Sequence, residues 1–340
     1  MSRSGDGRAS RPRSRLLATV AVSYLAACSL GLGLSTPVAV AAVGDLDLQA
    51  HRGGRGEATE ESLGAFAKAL EIGVSTLELD VVLSADGQPM VWHDPRIEAE
   101  KCVDTAPAFA DDPLYPYVGQ LVHQLSRAQL GTLVCAKKLA DFPQAQVMSG
   151  NRIATLPQVF ALADAYRATV RYNIETKVEA DQPDDSAPPQ EFVDVILREI
   201  RRAGRLDRVD IQSFDWRTLP MVHAAEPDLP LVALYDETTW VPGSRWLNGL
   251  DPAIVTDPPT AARLVGATAV SPHYPLIDRG YVDHAHALGL KVIPWTVNEQ
   301  QAMQQMIDDG VDGVITDYPS RLRAVMADLG LALPPAFRRH

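Results

Sequence analysis

The 340-residue sequence has little cysteine and a shortage of basic residues, and both features exclude classes of protein. It contains 3 cysteines, and no spacing between them suggests a cysteine-based metal site. There are 31 Lys and Arg residues against 43 Asp and Glu residues, for a formal net charge of −12. A protein this acidic is a poor match for nucleic acid, which requires a basic surface. An anionic substrate would need a local attractor, and a bound divalent cation is one.

Residues 1–41 have the composition of an export signal. A basic segment with five arginines and one acid precedes residues 16–34, which carry no charge, and Ala39-Val40-Ala41 fits a small-residue cleavage site. Two alternatives stay open: an uncleaved anchor, and a lipoprotein modified on Cys28 of Leu25-Ala26-Ala27-Cys28. All three place the folded body outside the cytoplasm, as a secreted, periplasmic or cell-surface protein. A cleaved signal would leave it without stable membrane insertion.

The two other cysteines, Cys102 and Cys135, form an even pair. In an oxidising compartment such a pair predicts a disulfide. Closing a loop of roughly 33 residues is worth about 3–4 kcal/mol in chain-entropy models. Two free buried thiols are the alternative.

Short apolar segments alternate with amphipathic ones over residues 45–330, which predicts an α/β fold of repeated β/α units, a (β/α)8 TIM barrel. The candidate strands are Leu46–Ala50, Ser75–Leu83, Gln88–Trp92, Val170–Thr176, Val209–Ser213, Leu231–Tyr235, Ala267–Ser271, Lys291–Thr296 and Gly313–Thr316. The candidate helices are Glu60–Ile72, Leu156–Ala168, Glu191–Ala203, Trp216–Ala225, Asp278–Leu288, Glu299–Asp308 and Pro319–Leu329.

Two segments depart from this alternation. The link Ser84–Gly87 predicts a hairpin rather than a helical crossover, so the third strand is irregular for a barrel. Residues 95–152 hold both late cysteines and predict a disulfide-closed insertion after the third strand, lying over one end of the barrel. Residues 331–340 are expected to form a C-terminal tail.

Polar residues occur where the predicted strands end, on the face that carries active sites in this architecture. Because strand side chains alternate, Glu78 and Asp80 point the same way, as do Glu175 and Lys177. The set of converging residues is His51, Arg52, Glu78, Asp80, His93, Glu175 and Lys177.

Two buried carboxylates on one strand repel each other and are costly to desolvate, and a cation relieves both problems. Hard oxygen ligands without cysteine favour Ca²⁺ or Mg²⁺ over Zn²⁺. Arg52 and Lys177 suit phosphate oxygens, and two histidines can divide acid and base work. The residues therefore indicate metal-assisted phosphodiester cleavage.

A series of motifs in fixed order resembles the glycerophosphodiester phosphodiesterase family. They are His51-Arg52-Gly53, Glu60-Glu61-Ser62, Glu78-x-Asp80-Val81, His93-Asp94, Ile174-Glu175-x-Lys177, Ser213-Phe214, Trp295-Thr296-Val297-Asn298 and the segment from Gly310 to Asp317. The resemblance covers residues 46–320 and implies hydrolysis of a glycerophosphodiester to glycerol 3-phosphate and an alcohol.

The same resemblance implies roles for individual residues. Glu78, Asp80 and Glu175 would bind the metal, and His51 and His93 would be the catalytic pair. The substrate-binding residues would be Arg52 and Lys177 at the phosphate, with Trp295 and Phe214 on the glycerol side.

One motif departs from the family pattern. Where the family usually has Pro-Glu-Asn-Thr, this chain has Thr59-Glu60-Glu61-Ser62. We expect Glu61 to add negative charge near the rim, and Glu60 to assist the metal or to cap the following helix. His273 follows a strand and is a candidate for lining the pocket.

Other functions stay open. A phospholipase D-like or lysophospholipid phosphodiesterase activity would need an apolar rim around the site, and an inert exported binding protein is a third possibility. The nucleophile is either water or the neighbouring glycerol hydroxyl, and the order of acid and base within the histidine pair is open.

Overall fold

The computed structural model describes residues 45–339, so the predicted export signal over residues 1–41 and Cys28 lie outside the described residues. The strands of the described part are β1 (Asp47–Ala50), β2 (Thr76–Leu83), β3 (Pro89–Val91), β4 (Ala154–Thr155), β5 (Arg171–Thr176), β6 (Val209–Ser213), β7 (Leu231–Tyr235), β8 (Ala269–Pro272), β9 (Lys291–Val292) and β10 (Gly313–Thr316). Its α-helices are α1 (Leu63–Ile72), α2 (Arg127–Leu130), α3 (Leu156–Ala165), α4 (Pro189–Ala203), α5 (Thr218–Ala225), α6 (Pro258–Leu264), α7 (Arg279–Ala287), α8 (Gln300–Asp309) and α9 (Pro319–Asp328).

Eight parallel strands form a TIM barrel, as predicted. Their order is β10-β1-β2-β5-β6-β7-β8-β9. Backbone hydrogen bonds from Asp312 N to Val292 O (2.9 Å) and from Ile315 N to Pro294 O (3.0 Å) join β9 to β10. Because β1 pairs with β10, the two ends of the chain's β/α series meet in the closed barrel.

The third predicted strand lies outside the barrel, as the hairpin signal indicated. β3 pairs antiparallel with the extended end of β2, with Val81 opposite Val91, and β4 pairs with β3. This ribbon leads into residues 95–152, which enclose their own buried cluster around Met90, Ile97 and Leu133. Cys102 and Cys135 are joined in a disulfide within that cluster.

One predicted strand needs correction, and the short elements α2, β4 and α6 were not predicted. The strand predicted over Lys291–Thr296 ends at Val292, and Pro294 follows, which has no N–H to donate to a ladder. β4 was not predicted because it has only two residues. The helix α6 was also missed, since Pro258 and Pro259 resemble a loop, although proline is favoured in the first helical turn.

The interior of the barrel is apolar on one side and polar on the other. Val232, Ala269, Ile293 and Ile315 form a small buried cluster inside the strands. The main core lies between the strands and the helices that surround them. The polar part of the interior comes from β2, β5 and β6, and it holds the candidate site.

The segment after α9 has no regular secondary structure up to residue 339, yet it is attached to the barrel. The Phe337 N–H donates to Leu70 O at 2.9 Å. Among residues 45–339, no helix combines the length and the hydropathy needed to cross a bilayer.

Candidate active site

Three buried carboxylates meet inside the barrel because the strands place them in register. Asp80 on β2 is the direct partner of Glu175 on β5, and Glu78 lies two residues earlier on the same face as Asp80. Each of the three is less than 9% exposed. One oxygen from each lies within 4.8 Å of the others. The structure thus brings together the three residues that the sequence predicted as metal ligands.

A strained turn brings Arg52 onto this cluster. Arg52 adopts φ 50°, in the left-handed region, which is unfavourable for a side chain other than glycine. In this conformation its N–H donates to Glu78 Oε2 at 2.8 Å, and its Nε lies 3.1 Å from Asp80 Oδ2. Gly53 follows with φ 79°, and a Cβ there would lie 3.0 Å from that of Ala65. The turn therefore requires glycine, as in the His51-Arg52-Gly53 motif.

Glu61 lies below the carboxylates rather than near the rim, which corrects the expectation from sequence. It is 2% exposed, and its Oε1 accepts the Asp80 N–H at 3.0 Å. Its Oε2 has no hydrogen-bond partner among the described residues. Glu61 is thus a fourth buried carboxylate beside Glu78 and Asp80, at the position where the family usually has asparagine.

Buried negative charge exceeds buried positive charge in this centre. The carboxylates of Glu61, Glu78, Asp80 and Glu175 face two cations, Arg52 and Lys177, whose Nζ lies 2.9 Å from Glu175 Oε1. When all four carboxylates are ionised, at least two negative charges have no partner here, since Arg52 is also shared with Glu60, and a divalent cation would balance them.

The pKa values reflect this imbalance. Burial, together with Asp80, raises the pKa of Glu78, and burial raises the pKa of Glu175 to about 7 in spite of Lys177. Burial, Asp80 and Glu78 raise the pKa of Glu61. Burial opposes ionisation of Asp80 as well, yet His93, Lys177 and Arg52 together hold its pKa below the usual range.

Amide side chains support the carboxylates from the barrel interior. Gln212 Nε2 donates to Glu78 Oε1 at 2.7 Å. Asn173 Nδ2 donates to both Gln49 Oε1 (2.9 Å) and Gln212 Oε1 (2.8 Å). These contacts fix the rotamer of Glu78, and sequence reasoning did not identify them.

His51 is held by the opposite end of the chain. Its Nδ1 donates to Asp317 Oδ1 at 2.5 Å, and Asn298 Nδ2 donates to Asp317 Oδ2 at 2.8 Å. Burial lowers the pKa of His51, and the Asp317 carboxylate offsets part of that effect. With Nδ1 occupied, Nε2 is the nitrogen left to exchange a proton with a ligand.

His93 has a similar partner in its own neighbour. Its Nδ1 donates to Asp94 Oδ1 at 2.8 Å. Desolvation, followed by the charges of Arg52 and Lys177, lowers the pKa of His93 well below its ordinary value. The structure therefore places two imidazoles, each oriented by a carboxylate, near the same acidic centre.

Glu60 is neither a helix cap nor part of the carboxylate cluster, which corrects both expectations. Ser62 caps α1 by accepting the Ala65 N–H. Glu60 is surrounded by three cations instead, with contacts to Arg52 (3.6 Å), Arg55 (2.8 Å) and Lys101 (2.8 Å). It links the turn after β1 to the insertion.

An aromatic wall stands beside Lys177. The Phe214 and Trp295 rings are 5.3 Å apart and perpendicular, and Lys177 Nζ lies 5.9 Å from the Phe214 ring. Trp246 adds a further edge contact to Phe214. His273 lies against Trp295, with ring centroids 5.5 Å apart.

Several residues of the site were missed from sequence. Asp317 and Asn298 occur in motifs that were recognised, but only the fold shows that they contact His51. Lys101 and Arg55 stood outside any motif, so no local signal could have identified them.

The carboxylate centre suits a hard divalent cation. Two oxygens bound to one Ca²⁺ lie at most about 5 Å apart, twice the usual metal–oxygen distance, and the three oxygens of the cluster meet that limit. All the donors are carboxylates, which favours Ca²⁺ or Mg²⁺. Glu78, Asp80 and Glu175 would hold the ion.

The chain is similar in sequence to known proteins. The model of the Glycerophosphoryl diester phosphodiesterase family matches residues 51–321. A glycerophosphodiester phosphodiesterase from Caldanaerobacter subterraneus subsp. tengcongensis is 29% identical over 80% of this chain and 94% of that protein. The human protein named Lysophospholipase D GDPD1 is 25% identical over 80% of this chain and 83% of that protein.

The fold is also similar to solved structures. An Oleispira antarctica phosphodiesterase, in complex with the product sn-glycerol-3-phosphate, superposes with a TM-score of 0.63. It is 20% identical, and the match covers 83% of this chain and 97% of that one.

Proposed function

Because the chain belongs to the glycerophosphoryl diester phosphodiesterase family and is a phosphodiester hydrolase, we propose that it cleaves glycerophosphodiesters to glycerol 3-phosphate and an alcohol with a bound divalent cation. The observation that carries this proposal is the charge of the centre. Four buried carboxylates face two cations, Arg52 and Lys177, and three of the carboxylates have oxygens close enough to share an ion. The related Oleispira antarctica enzyme, whose complex contains sn-glycerol-3-phosphate, supports the choice of product.

The cation would supply positive charge to the phosphate as the bond to the alcohol breaks. Arg52 and Lys177 would hold the phosphate oxygens, since each side chain already contacts a carboxylate of the centre. The acidic chain cannot attract an anion as a whole, so these groups act locally. Phe214 and Trp295 would pack against the glycerol.

His51 and His93 would transfer the protons. One takes the proton of the attacking hydroxyl, and the other gives a proton to the departing alkoxide. In both roles the histidine becomes or begins as an imidazolium, which a carboxylate at Nδ1 stabilises. Asp317 would serve His51 in this way, and Asp94 would serve His93.

The protein would act outside the cytoplasm. The basic and then uncharged N-terminal segment supports export, and the Cys102–Cys135 disulfide is typical of oxidising compartments. N-terminal sequencing of the mature protein from the producing cell tests this, because a cleaved signal leaves a new terminus near residue 42. A terminus at Cys28 would indicate a lipoprotein instead.

An assay of glycerophosphocholine and related diesters tests the reaction. We expect release of glycerol 3-phosphate that depends on added Ca²⁺ or Mg²⁺ and disappears with a chelator. His51→Ala and His93→Ala should each abolish turnover while the cation still raises the melting temperature. An active His51→Ala, His93→Ala double variant would exclude the proposed mechanism.

The same assay decides which nucleophile attacks. If the neighbouring glycerol hydroxyl attacks, a cyclic glycerol phosphate accumulates at early times. If water attacks, glycerol 3-phosphate appears directly and no cyclic glycerol phosphate forms at any time.

A second candidate is hydrolysis of lysophospholipids, the activity in the name of the human relative. One observation favours it: an apolar pocket lies between the turn after β1 and the insertion. Its lining includes Trp92, Leu139 and Phe142, together with the charged side chains of Arg55, Glu60 and Lys101. The enclosed space admits about one water molecule, so part of an acyl chain could enter only if Phe142 or Leu139 turned aside.

Comparing two substrates separates the candidates. If the lysophospholipid is the substrate, the ratio of lysophosphatidylcholine to glycerophosphocholine turnover should exceed one and should fall in Phe142→Ala. Phe109→Ala is a control, because Phe109 is 55% exposed in the same insertion and lies outside this pocket. A ratio far below one that Phe142→Ala leaves unchanged would exclude this candidate.

A further inference from the structure

Lys101 reaches from the insertion into the catalytic centre. The residue is 8% exposed, and its Nζ lies 2.8 Å from Glu60 Oε1 and also contacts Asp94 Oδ2. The ammonium stands over the Trp92 ring, 5.3 Å from its centroid. A lysine buried in this way loses hydration and side-chain freedom, so its two carboxylate partners must compensate for it.

Each partner of Lys101 touches a residue proposed to act on the substrate. Asp94 accepts the hydrogen bond from His93 Nδ1 through its other oxygen. Glu60 lies 3.6 Å from Arg52, the proposed phosphate ligand. Lys101 therefore contacts the His93 imidazole through Asp94 and the Arg52 guanidinium through Glu60.

The insertion, rather than the barrel, determines the position of Lys101. Its N–H donates to Glu98 O at 3.1 Å, and its carbonyl accepts from Lys137 N at 3.2 Å. The next residue, Cys102, is tied to Cys135 by the disulfide. These constraints hold the backbone where the side chain can span Glu60 and Asp94 at once.

We propose that Lys101 is a positioning residue, which holds Asp94 and Glu60 so that His93 and Arg52 face the phosphodiester. The proposal rests on the proposed function, because it assumes the roles of those two residues. It also assigns the insertion a part in turnover, since among the described residues Lys101 is the cation that contacts both Glu60 and Asp94, whereas Arg52 and Arg55 contact Glu60 but not Asp94. Without Lys101, Asp94 would be free to turn toward water, and His93 would lose its fixed orientation.

The charge of Lys101 has an effect on His93 that can be measured without turnover. Desolvation lowers the pKa of His93 most, the charges of Arg52 and Lys177 lower it further, and the charge of Lys101 adds a smaller effect in the same direction. Neutral substitution should therefore shift the His93 titration to higher pH. This titration tests the charge of Lys101 at His93, whereas kcat and the double-mutant cycle below test positioning.

Three substitutions at position 101 separate charge from shape. Lys101→Met keeps the length of the chain without charge, Lys101→Gln keeps a donor without charge, and Lys101→Arg keeps the charge. We expect kcat for glycerophosphocholine to fall about 10- to 100-fold in Lys101→Met, the range typical of residues that orient a catalytic group. Lys101→Arg should recover most of the loss, and Lys101→Gln should lie between. Lys291→Met, an exposed lysine at the start of β9, is the control and should leave kcat unchanged.

Histidine NMR titration supplies a readout that needs no turnover. The His93 resonance is identified by its loss in His93→Ala, and we expect it to titrate at higher pH in Lys101→Met than in the parent protein. If the parent hydrolyses no glycerophosphodiester, the proposed function fails while this measurement still tests Lys101. Should Lys101→Met not fold, Lys101→Gln serves for both measurements.

Two results would overturn the proposal. The first is an unchanged kcat with an unchanged His93 titration in Lys101→Met. The second is an equal loss of kcat in Lys101→Met and Lys101→Arg, which would mean that the positive charge at position 101 does not hold Asp94 and Glu60. A double-mutant cycle with Asp94→Asn adds a test of the route, because positioning through Asp94 requires the double variant to lose less than the product of the single losses. Losses that simply multiply would count against it.

Discussion

Replacing Asp317 by asparagine should impair the enzyme strongly, although Asp317 lies 266 residues from His51 in sequence. The Asp317 carboxylate accepts the His51 Nδ1–H at 2.5 Å, and the residue is 4% exposed. An asparagine would keep the shape and could still accept from Asn298, but it carries no charge. Its amide can also turn a donor toward Nδ1, which would place the ring proton on Nε2 and remove the base.

The magnitude follows from the loss of one charge pair. Two unit charges about 4 Å apart interact by about 4 kcal/mol at an effective dielectric constant of about 20. We expect the His51 imidazolium to lose about 2–4 kcal/mol of stabilisation. The lower end applies because Asn298 and the slight solvent exposure of His51 reduce the effect of removing the charge. By the rate relation of roughly tenfold per 1.4 kcal/mol, kcat should fall about 30- to 1000-fold.

The pH profile of Asp317→Asn adds a directional test. The Asp317 carboxylate raises the pKa of His51 against the effect of burial, so its removal lowers that pKa further. If His51 is the base, the acidic limb of kcat moves to lower pH; if it is the acid, the basic limb moves to lower pH. One variant therefore assigns the order of the histidine pair.

A second Asp→Asn substitution at another Asp–His pair serves as a control. It tests whether removing any carboxylate from a histidine lowers kcat. Asp312 pairs with His286 at 2.8 Å near the start of β10, at the other end of the strand from Asp317, and both side chains are about one-third exposed or more. Asp312→Asn should leave kcat within twofold. The reasoning is refuted if Asp317→Asn retains kcat within threefold and neither limb moves.

Three further predictions concern the metal, the disulfide and the aromatic wall. In metal-free protein the melting temperature should fall as pH rises from about 4.5 to about 7. Burial raises the pKa of Glu175 to about 7, so the fold favours the protonated acid and loses that stability as the group ionises. Ca²⁺ or Mg²⁺ should reduce this slope. Glu175→Gln should make it shallower without abolishing it, because the pKa values of Glu61 and Glu78 are raised as well, whereas Glu199→Gln should leave it unchanged; an unchanged slope in Glu175→Gln contradicts the assignment. The Cys102→Ser, Cys135→Ser variant should lose up to about 3–4 kcal/mol of unfolding free energy in urea and also lose kcat, because Cys102 adjoins Lys101; unchanged values of both would be evidence against this coupling. Phe214→Ala should raise KM for glycerophosphocholine about tenfold through lost packing, whereas Phe109→Ala should not, and equal KM values in the two variants would argue against a glycerol wall.

Periodicity and local motifs were sufficient to predict much of this protein. Alternation by two along β2 and β5 requires that Glu78 and Asp80 share a face, and likewise Glu175 and Lys177. A parallel sheet then brings strand ends together, so the carboxylate cluster follows from sequence with few assumptions. The family resemblance likewise rests on short motifs whose order the sequence displays directly.

The local sequence pattern did not predict the contacts of side chains whose partners lie far away in the chain. Glu61 was expected near the rim and Glu60 at the metal or at the helix cap, but the fold places Glu60 against Lys101 and Glu61 against the Asp80 N–H. The α6 helix was missed for a local reason, since its two prolines resemble a loop until the barrel supplies a surface for the helix to cover.

The contacts that complete the site were decided by the tertiary structure. Pairing of β1 with β10 closes the barrel and brings Asp317 to His51, while the disulfide-closed insertion brings Lys101 to Asp94. The sequence by itself determined which residues line the strand ends and which chemistry they can perform. Closure of the sheet decided which of these residues touch. A contact between distant segments depends on how the strands assemble, and the periodicity of a single segment does not describe that.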